Sequence, residues 1–120
     1  MSGTAVEHVL SEYRFKGDLK ALDFVPVVSV DFGGGYEWDE FHAWYSPSRR
    51  VFFWTSGAGC SCNSISDEIY SLEDLENGRD RADVMAAVRA YFDGRYGDKP
   101  GDRVEALAEV NAFRVPRAEA

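Results

Sequence analysis

The sequence predicts an α+β domain: a three-stranded antiparallel meander followed by two main helices, with a short helix near the N-terminus. Three observations carry this. Apolar residues alternate with period two over residues 22–32, and two aromatic, β-branched runs at 37–45 and 50–56 flank a proline-containing turn. Apolar residues then recur at helical spacing within 81–93 and 103–113. Strands grouped before helices, with no β-α alternation, point to an antiparallel sheet with helices packed on it.

Thr4 to Tyr13 places Val6, Val9, Leu10 and Tyr13 on one helical face, and Lys16-Gly17-Asp18 breaks that segment. In the first strand, Leu22, Phe24, Val28, Val30 and Phe32 point one way, and Asp23, Val25, Val27, Ser29 and Asp31 the other. Pro26 cannot donate to a ladder, so this is an edge strand or one bent at the proline. Gly33-Gly34-Gly35 ends it.

In the hairpin, Ser46-Pro47-Ser48-Arg49 has proline at the second position, where a type I turn favours it. The register that follows sets Tyr45 opposite Arg50, Trp44 opposite Val51, His42 opposite Phe53 and Phe41 opposite Trp54. Both faces then carry large apolar groups, so one must be covered by helices or by a partner. Residues 56–66 read as a loop of small residues, and Ser71-Leu72-Glu73-Asp74 as a capping box opening a short helical turn. Asp80 is the expected N-cap of helix 81–93, with Val84, Met85, Val88, Tyr91 and Phe92 on its buried stripe and Gly94 as its stop. After a polar loop through Pro100, Asp102 caps the last helix, with Val104, Leu107, Ala108 and Phe113 facing inward.

The 120 residues fit one domain, 1–120, and 45% hydrophobic with 14% aromatic residues suffices for a core. The formal charge of −8 argues against sequence-independent binding to nucleic acid or anionic lipid, which needs clustered Lys and Arg. Ten Arg stand against three Lys (Lys16, Lys20, Lys99), the bias of a GC-rich genome. No segment approaches the roughly 18 apolar residues of a membrane span, and Met1–Leu10 lacks the basic-then-apolar pattern of a signal peptide. Two cysteines are no extracellular disulfide framework, so the expected compartment is the cytoplasm.

Cys60-Ser61-Cys62 is the feature closest to chemistry. Two thiolates on one loop would make half of a tetrahedral zinc site. The predicted register puts Cys60 opposite Gly35, about 23 Å along the strand from His42, too far for that histidine to complete it. Asp67 and Glu68 remain as donors. The preferred reading packs both cysteines as small buried hydrophobes. His42 beside Glu40 suggests acid–base work, but no Ser or Cys is placed to be activated, and the glycine runs match no phosphate-binding pattern. No catalytic residue set and no cofactor site is assembled, and the sequence leans away from an enzyme.

Binding residues are better represented. Trp38, Trp44, Phe53 and Trp54 crowd the hairpin, and aromatic residues are enriched among interface anchors. Asp67 and Glu68 belong to an acidic cluster with Glu73, Asp74 and Glu76 that would suit a basic partner.

The aromatic strand running into Ser56-Gly57, then Cys60-Ser61-Cys62-Asn63-Ser64, an acidic stretch and Leu72-Glu73-Asp74-Leu75, resembles a family of small uncharacterised actinobacteriophage proteins. In those proteins an aromatic strand ends in Ser-Gly-Cys-Ser-Cys. Here Ala58-Gly59 is inserted before the first cysteine. The resemblance covers the middle third of the chain and implies a phage source without implying an activity. The expectation is a phage accessory protein in the host cytoplasm that binds a host or phage protein. The alternatives are a metal-binding protein or enzyme centred on Cys60 and Cys62, and a self-assembling homodimer.

Overall fold

The computed structural model describes residues 3–94 and 100–116. Strands β1 (Val25–Asp31), β2 (Glu37–Ser46), β3 (Val51–Cys60) and β4 (Glu76–Gly78) form one antiparallel sheet in the order β1-β2-β3-β4. Helices α1 (Arg81–Asp93) and α2 (Pro100–Ala112) follow. The α+β class and the two helices match the expectation, but the sheet has four strands instead of three. The fourth, Glu-Asn-Gly, carries no apolar alternation. It joins the sheet by pairing with Phe52–Trp54.

Side chains alternate across a strand, so the hairpin sorts its aromatics into two layers. Phe41, Ala43, Tyr45, Phe52 and Trp54 face the helices, where Val84, Val88, Phe92, Ala106 and Val110 complete a buried cluster. Trp44 and Phe53 face the opposite way, into a second cluster. That cluster is closed by Val6, Val9, Leu10, Phe15 and Leu19 from the N-terminal segment and by Ile65, Ile69 and Leu75 after the hairpin. The chain therefore covers both faces of its own hairpin. Among the described residues, the large aromatics of both hairpin faces are covered, so the uncovered face that the alternative of a self-assembling dimer invoked is not seen there.

The register differs from the expected one by two residues. Ser46 pairs with Val51, Tyr45 with Phe52 and Trp44 with Phe53. The turn is Pro47–Arg50, closed by the Arg50 N–H donating to the Ser46 carbonyl at 2.8 Å, with Arg50 at φ 56°. Ser46 was assigned to the turn as the residue before Pro47, yet it is wholly buried at the strand end. Its hydroxyl donates to Asp23 at 2.6 Å, and the Ser48 N–H donates to the other Asp23 oxygen at 2.7 Å. Burial raises the Asp23 carboxyl, but the hydrogen bonds from Ser46 and Ser48 outweigh it and hold the carboxyl below its usual value.

Pro26 has the consequence anticipated for it. Strand β1 lies at the sheet edge and bulges between Pro26 and Val28, leaving Val27 as the extra residue. Val27 and Val28 consequently both enter the helix-side cluster. The set read as one face is split by the bulge: Phe24 packs with the N-terminal layer, while Val30 and Phe32 pack with the helices.

Helix α1 follows its predicted stripe, with Val84, Val88 and Phe92 buried and Met85 and Tyr91 packed beside them. Asp80 precedes it, its N–H held by the Asp83 carboxylate. Helix α2 starts at Pro100, with Asp102 in its first turn and not at the cap. Its inward stripe is Ala106, Leu107, Val110 and Phe113, spaced three and four apart, which turns Val104 to solvent at 66% exposure and exposes Ala108. Residues 95–99, the expected polar loop, lie outside the described residues. The N-terminal segment makes only a 3-10 turn, Val6–His8, and Tyr13 is fully exposed. Val6, Val9 and Leu10 are buried as expected, but by an irregular chain instead of a continuous helix.

Candidate functional site

The residues singled out in the sequence separate into three groups once the chain folds. Trp44 and Phe53 are directly paired across β2 and β3 and sit in the core, Trp44 with no exposed surface. The Trp44 indole donates to the Thr4 carbonyl at 2.7 Å, tying the N-terminal segment to the sheet. These two rings hold the layers together and offer no surface to a partner. They were read as anchors because hairpin aromatics look alike in sequence whichever layer covers them.

Cys60 and Cys62 form the second group. Strand β3 runs to Cys60, four residues beyond its expected end, so Gly57-Ala58-Gly59 is strand and not loop. Both cysteines are exposed, which corrects the expectation of buried packing, and their sulfurs are joined in a disulfide. Cys60 stands opposite Glu37, five residues from His42, or about 17 Å at ~3.3 Å per residue. Among the described residues no three His, Cys, Asp or Glu side chains converge as a metal cluster.

His42 is buried and bonded at both ring nitrogens: Nδ1 lies 2.8 Å from the Ser29 hydroxyl and Nε2 2.7 Å from Glu40. The expectation that no serine stands near it is therefore corrected by the pairing of Ser29 with His42 across β1 and β2. The Ser29 oxygen, however, also accepts the Thr4 N–H at 2.7 Å. The N-terminal segment crosses here so closely that a Cβ on Gly3 would come within 2.8 Å of the Val28 nitrogen. Ser29, His42 and Glu40 thus join β1 to β2 beneath the covering N-terminal segment.

The third group makes a site. Trp38 lies across β3, over two glycines where a side chain would crowd its ring. A Cβ at Gly59 would fall 2.7 Å from three indole atoms, and one at Gly57 3.3 Å from two others. The indole N–H donates to the Cys60 carbonyl at 3.1 Å and to Asn63 Oδ1 at 3.0 Å. Trp54, on the other face, sends its indole N–H to Glu76 Oε2 at 2.8 Å. Between them opens a cavity of ≈ 320 Å³, at the lower end of the range for ligand pockets. Trp38, Trp54, Glu68, Asp74 and Glu76 line it, with Ile65 and Ile69 as an apolar wall.

The charge of this cavity is one-sided. Glu68, Asp74 and Glu76 are exposed at its lining, and among the described residues no Lys or Arg lines it. Asp74 Oδ2 is committed to the Tyr70 and Ser71 N–H groups, and Glu76 Oε2 to Trp54. Among the described residues, nothing bonds the Glu68 carboxylate. Asp67, the neighbour singled out with it, pairs with Arg14 at 3.3 Å and holds the Ser64 N–H at 2.9 Å. It stiffens the loop and is not at the cavity. Carboxylates beside indole surfaces suit an organic cation, which gains charge pairing and cation–π attraction together.

Beyond its geometry the chain can be placed by comparison. The sequence pattern of the family described as Domain of unknown function (DUF7574) matches residues 14–114. The chain belongs to this family. The match takes in the whole sheet, α1 and α2, so the DUF7574 pattern spans both the cavity and the cysteine turn. No curated protein and no solved structure matches the chain.

Sequence reasoning found Trp38, Trp54, Glu68 and the acidic cluster but did not bring them to one place. The missing signal was β4. Three residues of pairing draw Glu76 alongside Trp54, and the preceding turn brings Asp74 with it.

Proposed function

We propose that this domain acts by binding a protein, and that it recognises a basic segment of that partner at the cavity between Trp38, Trp54 and Glu68. The observation that supports the reading is the composition of that cavity: two indoles and three carboxylates, with no cation among its described lining residues. An Arg or Lys side chain entering it would lay its aliphatic stem against Ile65 and Ile69 and its charge against Glu68 and Glu76. We further propose that the protein is a phage accessory factor working in the cytoplasm of a GC-rich host. The resemblance of its aromatic strand and Cys-Ser-Cys turn to small actinobacteriophage proteins, together with the Arg-over-Lys bias, supports that origin.

The test is a pull-down from host lysate with three baits: wild type, Glu68→Gln/Glu76→Gln, and a control substituted at the exposed Tyr13. The proposal expects a stoichiometric partner retained by wild type and the control and lost or strongly reduced with the double variant. Retention by all three baits, or recovery of nothing by wild type, counts against it.

A further inference from the structure

The cavity is lined by Trp54, Thr55, Ser56 and Gly57, four consecutive residues of one strand. Side chains of a strand alternate between faces, and Gly57 has no side chain, so a lining of four in a row includes backbone and fits a cavity that runs along the edge of the strand. Pairing gives the same result. Strand β4 contacts β3 only at Phe52, Phe53 and Trp54, while β2 pairs with β3 all the way to Cys60. Among the described residues, no strand lies on the β4 side of Thr55–Cys60.

An open edge is a liability that proteins usually blunt with proline, charged residues, bulges or a covering segment. The opposite edge of this sheet is blunted in this way: β1 carries Pro26 and a bulge, and the Gly3–Thr4 segment lies over Val27–Ser29. The open part of β3, Thr55-Ser56-Gly57-Ala58-Gly59, has no charge, no proline and no break in its register with β2. The cavity beside it is acidic instead, lined by Glu68, Asp74 and Glu76.

We propose that the Thr55–Gly59 edge of β3 receives an extended segment of a basic partner as an added strand, in line with β4, with one Arg or Lys of that segment seated among Glu68, Glu76 and the two indoles. This rests on the binding reading above and specifies its mode. Main-chain hydrogen bonds supply the pairing, and the pocket beside the edge selects the side chain. The occupant is basic because, among the described residues, every ionisable side chain lining the cavity is acidic. A second copy of this net-acidic chain would bring its own Glu68 and Glu76 to the same edge.

The test uses three capped nonapeptides of alternating Thr and Val. One has a central Arg, one a central Glu, and one is the Arg peptide N-methylated at every second backbone amide, which leaves its side chains but removes its donors. Binding to the whole protein is followed by NMR titration and by amide hydrogen exchange. The Arg peptide is expected to bind and to slow exchange within Thr55–Gly59, and the N-methylated and Glu peptides to bind at least tenfold more weakly. Glu68→Gln should weaken the Arg peptide about threefold, the scale of an exposed charge pair. If the N-methylated peptide binds as well as the Arg peptide and exchange at 55–59 is unchanged, strand addition is overturned while the cation pocket stands. If no peptide binds, both readings fail. Protection of 55–59 that appears in the free protein as its concentration rises assigns the edge to a second copy and overturns the proposal.

Discussion

Replacing Gly59 by alanine tests the placement of Trp38 and with it the register of the hairpin. The added Cβ would lie 2.7 Å from three atoms of the Trp38 indole, inside the distance real Cβ contacts reach. The ring can escape only by giving up its hydrogen bonds to the Cys60 carbonyl and Asn63, each worth about 1 kcal/mol net. Overpacking of this kind costs ~1–3 kcal/mol, against a gain of at most about 1 kcal/mol from the stiffer unfolded chain. Gly59→Ala should therefore destabilise the fold by ~1–3 kcal/mol in urea titrations followed by far-ultraviolet circular dichroism. In a Trp38→Ala background the clash is gone, and the same substitution should be neutral or slightly stabilising, a coupling of at least ~1 kcal/mol. Gly57→Ala, whose Cβ meets the ring at 3.3 Å, should cost less than Gly59→Ala. Equal costs in the two backgrounds, or a reversed order of the two glycines, would refute the register. In the alternative register, with Tyr45 opposite Arg50, Trp38 pairs with Gly57.

Trp44→Ala removes a fully buried ring and its bond to Thr4, and should cost ~3–5 kcal/mol, enough to loosen the N-terminal layer in hydrogen exchange; retention of native stability would contradict its place in the core. Asp23, held below its usual value by Ser46 and Ser48 against the opposing effect of burial, contributes stability that is present above its unfolded value and lost as pH falls through its lowered folded value. The stability gap between wild type and Asp23→Asn should thus be widest at neutral pH and shrink below about pH 4, and a gap that grows on acidification would reverse the sign. Because Cys60 and Cys62 are exposed and bonded to each other, maleimide should label them only after mild reductant, without denaturant, and zinc in the oxidised protein should fall well below one equivalent. One equivalent of metal with a chelator-sensitive melting temperature would restore the metal-binding alternative.

The parts of this fold that depend on local pattern were legible in the sequence. Helix α1 followed its stripe because Val84, Val88 and Phe92 recur at helical spacing between Asp80 and Gly94. The hairpin was legible for the same reason, since its two runs alternate. What escaped depends on partners remote in sequence. Ser46 reads as a turn residue until Asp23, far earlier in the chain, buries it, and that contact shifts the register by two. Val27 reads as facing away from Val28 until the bulge after Pro26 turns both inward. Strand β4 has no pattern of its own; Phe52–Trp54 recruit it. Helix α2 is rotated relative to the expected stripe: Ala106 and Val110, four apart, are buried with Leu107 and Phe113 beside them, which leaves Val104 on the outer side of the helix. The candidate site inherits these gaps. Its aromatic and acidic members were visible as residue types, but the open edge that organises them exists only because β4 stops at Trp54 while β3 continues to Cys60.

The central claim, that a basic extended segment docks along the open edge of β3, is tested most directly by mapping a single titration. With the Arg-bearing nonapeptide added to labelled protein, the account predicts amide shifts confined to Thr55–Gly59 and the neighbouring Glu68, Ile69, Asp74 and Glu76. The indole N–H signals of Trp38 and Trp54 should move with them while that of Trp44 stays fixed. Shifts centred on β1 or the exposed face of α2, with the Trp38 and Trp54 indole signals unmoved, would contradict it.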